Sequence, residues 1–159
     1  MVLFLGRRGQ TALELMFIFA IIMAGLVVVV NAYVPASSTV SLTYYVRGAA
    51  SDACSFLATG TVVNETRYSA LNTIIISANY SSVGCRVLGV SVEKSTSQWN
   101  VTIKMDVTVP LSGSVFKVAV RDYLVNSLSH VNGFSLRGGE IYYKNVPVRI
   151  NIVCEGCVG

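Results

Sequence analysis

The sequence predicts an α+β protein, with a long N-terminal hydrophobic helix followed by a small, β-rich α+β globular head. Three observations carry this. Leu15 to Val30 is an unbroken apolar run that resumes after Asn31 as Ala32-Tyr33-Val34, and about 20 uncharged residues are the length of a bilayer-spanning helix. Trp99, Val101, Ile103, Met105, Val107 and Val109 alternate without error against Asn100, Thr102, Lys104, Asp106 and Thr108, the period of a half-buried strand. Phe116, Ala119, Val120, Tyr123, Leu124, Leu128 and Val131 recur instead at helical spacing.

Composition narrows the function classes. Of 159 residues, 53% are apolar and 13% are charged, against about 25% charge in soluble domains. That excludes a disordered polyelectrolyte and argues against a freely soluble cytosolic enzyme. The net charge of +4 is too small to indicate nucleic-acid binding. A single histidine excludes chemistry that needs two or three His side chains.

Arg7 and Arg8 lie just before the apolar run. By the positive-inside rule they hold the N-terminus in the cytoplasm and send the rest outward. A secretory signal peptide is cut after its apolar region, but here the basic stretch ends at Gly9, before it. Glu14 stands alone at the mouth of the run, and an intramembrane carboxylate is a functional hypothesis by default. Gly25 reads as a small-residue contact that lets helices approach closely.

Arg7-Arg8-Gly9 followed by Gln10-Thr11-Ala12-Leu13-Glu14 and apolar residues resembles the class III signal peptide of archaeal type IV pilins. The family pattern is Gln-x-Ser-x-Glu-x-x-x-Leu. Gln10 and Glu14 match it, while Ala12 stands for Ser and Ile18 for Leu. The resemblance covers Arg7 to about Tyr33. It implies a membrane-embedded aspartic prepilin peptidase that cuts between Gly9 and Gln10, so that residues 1–9 are a leader. Losing Arg7 and Arg8 would unlock the helix from the membrane. Its apolar surface would then bury against other copies, since apolar area removed from water is worth roughly 25 cal/mol per Å². Glu14 would pair with the new terminal amine of a neighbouring subunit and set axial register. If Gln10 cyclises to pyroglutamate, Glu14 needs another donor.

The remaining elements follow in order. Val40, Leu42, Tyr44-Tyr45-Val46, Ala49-Ala50, Ala53-Cys54 and Phe56-Leu57 recur every three or four residues, so the helix is expected over 10–57 with a kink near Pro35. Gly60 marks its end, and 58–159 form the head. Leu71, Ile74, Ile75 and Ala78 fall at helical spacing while Ile74-Ile75-Ile76 favours a strand, so this stretch reads as a short helix or a mixed segment. Leu88, Val90 and Val92 begin a strand that pairs antiparallel with the Trp99 strand through a short polar link, and Pro110 ends that second strand. A helix is expected over 114–131, capped by Ser114, with Gly133 beyond it. Gly138-Gly139 is a turn, and 141–154 hold one or two strands with Val148, Ile150, Ile152 and Cys154 on one face.

Four cysteines, Cys54, Cys85, Cys154 and Cys157, read as two disulfides in an external head. Three connectivities are possible. Cys54–Cys85 with Cys154–Cys157 is favoured, and a crossed pairing is the rival. Cys154-Glu155-Gly156-Cys157 is also a CxxC. A redox CxxC usually sits at a helix N-terminus, whereas this one ends a strand. A four-Cys zinc site usually shows two such pairs, so no metal is expected.

Asn64, Asn79 and Asn100 each open an Asn-x-Ser/Thr sequon and are glycosylation candidates. Asn64 and Asn79 stand near loop signals, and Asn100 sits on the polar face of a strand. No catalytic constellation and no cofactor motif occur. His130, late in an amphipathic helix, reads as a surface or capping residue. Tyr44, Tyr45, Tyr142 and Tyr143 read as packing residues, some of them between subunits.

The expectation is therefore a non-enzymatic pilin-like subunit, major or minor. It starts in the membrane as a precursor and ends in an extracellular filament, polymerising with copies of itself or other pilins and serving adhesion. The alternative is a single-pass membrane-anchored extracellular binding module that does not polymerise. Nucleic acid is not an expected partner of either.

Overall fold

A computed structural model describes residues 7–108 and 111–158, with the side chains of residues 7–12, 32 and 34–36 outside the described set. The chain forms two compact units, Met1–Ser38 and Thr39–Gly159. Helix α1 spans Arg7–Thr59, and the boundary between the units falls inside it. The kink expected near Pro35 falls on a residue whose side chain lies outside the described set.

In the second unit, Leu42, Val46, Ala50, Ala53 and Leu57 of α1 are fully buried. Their spacing of three or four residues puts them on one helix face. The helix stops at Gly60, whose φ of +64° suits the left-handed position that closes a helix. The chain at Ser82 and Val83 returns beneath this end. Val83 N–H donates to Leu57 O at 3.1 Å, and Ser82 Oγ donates to Ala58 O at 2.7 Å.

A single 3₁₀ turn, Thr66–Tyr68, leads into α2, Ser69–Ser77. Leu71, Ile74 and Ile75 of α2 are buried, so the helical reading of this stretch holds despite three consecutive isoleucines. Then follow β1 (Cys85–Lys94), β2 (Trp99–Val107), α3 (Gly113–Ser129), β3 (Phe134–Arg137), β4 (Glu140–Tyr143) and β5 (Val146–Glu155). The strands form one mixed sheet in the order β1-β2-β5-β4-β3. β1 and β2 are an antiparallel hairpin, and β2 and β5 pair in parallel at the centre. The fold class read from sequence, an apolar N-terminal helix before a small α+β head, is the architecture seen.

On β2, Trp99, Val101, Ile103, Met105 and Val107 are all buried. Val148, Ile150 and Ile152 of β5 lie beside them in the core. Phe116, Val120, Tyr123, Leu124 and Leu128 of α3 cover this layer. The alternate residues of β2 and β5 form the polar outer face.

Four details differ from the sequence reading. The register of β1 shifts between Val87 and Gly89. This bulge turns Leu88 outward, 42% exposed, and leaves Val87, Val90 and Val92 packed against the core. Helix α3 is capped by Ser112, not Ser114, and Ser112 makes no side-chain capping bond. The reason lies beyond β5: Val158 O accepts from Gly113 N–H at 2.8 Å and holds the cap two positions earlier. β3 was not foreseen as a strand. It forms because Gly138 and Gly139, at φ +58° and +83°, supply the two positive-φ residues of a tight hairpin turn. Lys144 and Asn145, at φ +50° and +64°, make a second such turn between β4 and β5. Finally, β2 ends at Val107, while Val109 and Pro110 lie outside the described residues.

Candidate functional site

Two regions hold the candidate site residues: the apolar segment of α1 and the polar surface of the head. From Leu13 to Asn31, α1 is long and apolar enough to cross a membrane, and none of it is buried. Phe17 is 70% exposed and Val28 68%. A helix that is apolar all round is stable only inside a protein core or a bilayer. The segment is therefore compatible with membrane anchoring.

Glu14 lies at the start of this segment and shares a helix face with Phe17 and Ile18. Its side chain is exposed. A carboxylate carried into hydrocarbon costs several kcal/mol unless a cation or donor meets it. Gly9 and Gln10 belong to the helical backbone of α1, and the Gln10 side chain lies outside the described set.

In the head, three elements converge on one carboxylate. Asp52 of α1 accepts from the Tyr123 hydroxyl at 2.5 Å and from the Arg67 guanidinium at 2.7 Å. The same Arg67 nitrogen lies 3.3 Å from both Tyr123 Oη and Ser127 Oγ. Arg67 also sits over the rings of Tyr68 and Tyr123, at 5.4 and 5.9 Å. Tyr68 stacks between Phe56, 4.3 Å away, and Tyr123, 5.7 Å away. Burial pushes the Tyr123 phenol up to about 12, and donation to Asp52 pushes the same way. Burial works against the Arg67 charge, but Tyr123, Tyr68 and Asp52 around it leave it raised. Each polar group is satisfied by another, so the cluster clamps α1, the 3₁₀ turn and α3 together. The sequence holds no signal for it, because Asp52 and its partner Tyr123 lie 71 positions apart and each member is ordinary in its own segment.

An open cleft of about 800 Å³ adjoins the clamp, lined by Asn64, Glu65, Arg67, Asn126, Ser127 and His130 among others. His130 caps α3, and its Nδ1 lies 2.8 Å from Asn126 O, a role compatible with the sequence reading. Among the described residues, no group of three His, Cys, Asp or Glu side chains is placed to hold a metal ion.

Cys54 is bonded to Cys85 and Cys154 to Cys157. The first bond ties the buried face of α1 to the start of β1. Of the sequons, Asn64 is exposed in the loop before the 3₁₀ turn. Asn79 is exposed beyond α2 at φ +54°. Asn100 is half-buried on β2, where its amide oxygen accepts from Gln98 Nε2 at 3.0 Å. Tyr44 is 73% exposed, whereas Tyr45 meets the Phe134 ring edge-on at 6.0 Å.

Compared with known proteins, the chain matches no family model, no curated protein and no solved structure. The apolar helix fits membrane anchoring, and the two disulfides fit a head in an oxidising extracellular space.

Proposed function

We propose that the chain is a structural subunit, a pilin, of an archaeal type IV pilus-like surface filament, and not an enzyme. The observation that carries this is the wholly exposed apolar segment Leu13–Asn31 directly behind the Arg7-Arg8-Gly9-Gln10 junction. In this reading a prepilin peptidase cuts after Gly9. The freed helix leaves the bilayer and packs against the same helix of neighbouring subunits. Glu14 finds its donor there, at the terminal amine of the next subunit. The disulfide-bonded head stays outside the cell, carries glycans at Asn64 and Asn79, and gives the filament an adhesive surface.

A second reading is favoured by the same helix, since one span of 19 residues also suits a permanent anchor for a binding module. Shearing cells that express the protein separates the two. Filaments decorated along their length by an antibody to the head support the pilin. A head that stays with the membrane fraction, with no filaments in the sheared material, supports the anchored module.

A further inference from the structure

We propose that Cys154–Cys157 is an exchangeable disulfide, with Cys154 a site of reversible S-thiolation by low-molecular-weight thiols and Cys157 the thiolate released. The two disulfides of the head differ at one sulfur: Cys54 is buried in the core, whereas Cys85, Cys154 and Cys157 are all half-buried and packed against it. Cys54 is 6% exposed, and its bond to Cys85 joins two elements, α1 and β1, that are anchored in the core. If that bond opened, the fold would hold the two sulfurs facing each other. Cys154 and Cys157 are half-buried, and the two residues between them, Glu155 and Gly156, are exposed. Cys157 lies beyond β5, outside the sheet ladder. An external thiol therefore reaches this bond, and the segment that carries Cys157 can shift once it opens.

The fold also supplies what the local sequence lacks. Read along the chain, the CxxC ends a strand. In space, the chain turns at Gly156, φ +85°, and runs back along the start of α3. Val158 N–H donates to Leu111 O at 2.8 Å, and Gly113 N–H donates to Val158 O at 2.8 Å. Ser112 and Val158 pair as an isolated parallel bridge. A Cβ placed on Gly113 would stand 3.4 Å from Cys157 Cβ. Cys157 thus packs on the first residue of a 17-residue helix that has no side-chain cap and no carboxylate in its first turn. The positive end of a helix favours a thiolate beside it, and the sulfur with the lower pKa is the better leaving group. Cys154 lies within β5 instead, in register with Met105 of β2.

The exchange balances. A thiolate RS⁻ attacks Cys154 Sγ, the RS–S bond forms, the Cys154–Cys157 bond breaks, and Cys157 departs as thiolate. A second RS⁻ attacks the sulfur of R, releasing RSSR and the Cys154 thiolate. The protein disulfide is reduced by two electrons, and two external thiols are oxidised to one disulfide. Opening the bond loosens the Val158 hydrogen bonds to Leu111 and Gly113.

The test treats the full-length protein in detergent micelles with reduced glutathione, quenches with acid, alkylates free thiols and maps the peptides by mass. The expected result is glutathione on Cys154 with alkylated Cys157, formed at least about tenfold faster than any opening of Cys54–Cys85. Hydrogen exchange at Val158 and Gly113 N–H should rise in step, while Trp99 fluorescence stays native. Equal rates at the two disulfides, glutathione chiefly on Cys157, or no adduct while the fold is intact would each overturn the proposal. Polymerisation plays no part in either outcome.

Discussion

Removing the Cys54–Cys85 bond measures how much of the head's stability rests on the tie between α1 and β1. The perturbation is the double substitution Cys54→Ala, Cys85→Ala. The bond closes a separation of 31 residues, and the chain-entropy relation assigns such a loop about 3.7 kcal/mol at 25 °C. The same relation gives about 1.6 kcal/mol for Cys154–Cys157, whose separation is 3. Trp99 is the only tryptophan and is buried at 3% exposure, so its fluorescence reports unfolding of the head. With urea slopes of about 2 kcal/mol per M, the first variant should lose about 2 M in midpoint and the second less than half of that. The ratio between the two does not depend on the slope. A loss under about 1 kcal/mol for the first pair, or an equal loss for both, would refute the assignment of the tie's strength to loop closure.

Three further predictions follow from the head and the apolar helix. Tyr123→Phe removes the donor to Asp52, and with Arg67 still in place should cost about 1–2 kcal/mol at pH 8. The folded Tyr123 phenol is raised to about 12, so the unfolded chain sheds this proton first, from about pH 10. Stability from Tyr123 is therefore whole below pH 10 and lost as pH climbs to about 12, so the wild type's advantage over Tyr123→Phe should shrink across that window; an unchanging gap in urea titrations would contradict it. Gly156→Ala puts a Cβ against Val107 O at φ +85° and should destabilise by about 1–3 kcal/mol, and a wild-type urea midpoint would show that this turn tolerates a side chain. Glu14→Ala should sharply lower filament yield, counted by electron microscopy of sheared material, and normal yield with normal register would remove Glu14 from the assembly account.

The sequence made the fold legible wherever one face of an element is buried. β2 alternates cleanly because its inward residues meet the core and its outward residues meet water. α3 and the head portion of α1 show their stripes for the same reason. β1 misled because a bulge shifts the pairing at Gly89, and period-two patterning carries no mark of a single extra residue. β3 has only four residues, too few for a pattern, although the Gly138-Gly139 pair was a usable hairpin signal. The start of α3 was misplaced by one contact with residue 158, which no local rule contains. At the candidate sites, the apolar span and the cysteines stood out because composition alone marks them. The Asp52–Arg67–Tyr123 clamp and the helix beside Cys157 arise only from tertiary proximity.

The central proposal is that the chain is processed and polymerised through its apolar helix. Mass mapping of the native N-terminus, in sheared surface material beside the membrane fraction, tests it most directly. The account predicts a terminus at Gln10, free or cyclised, in the sheared material. A chain that retains Met1 and occurs only in membranes would contradict it and leave the anchored binding module as the better reading.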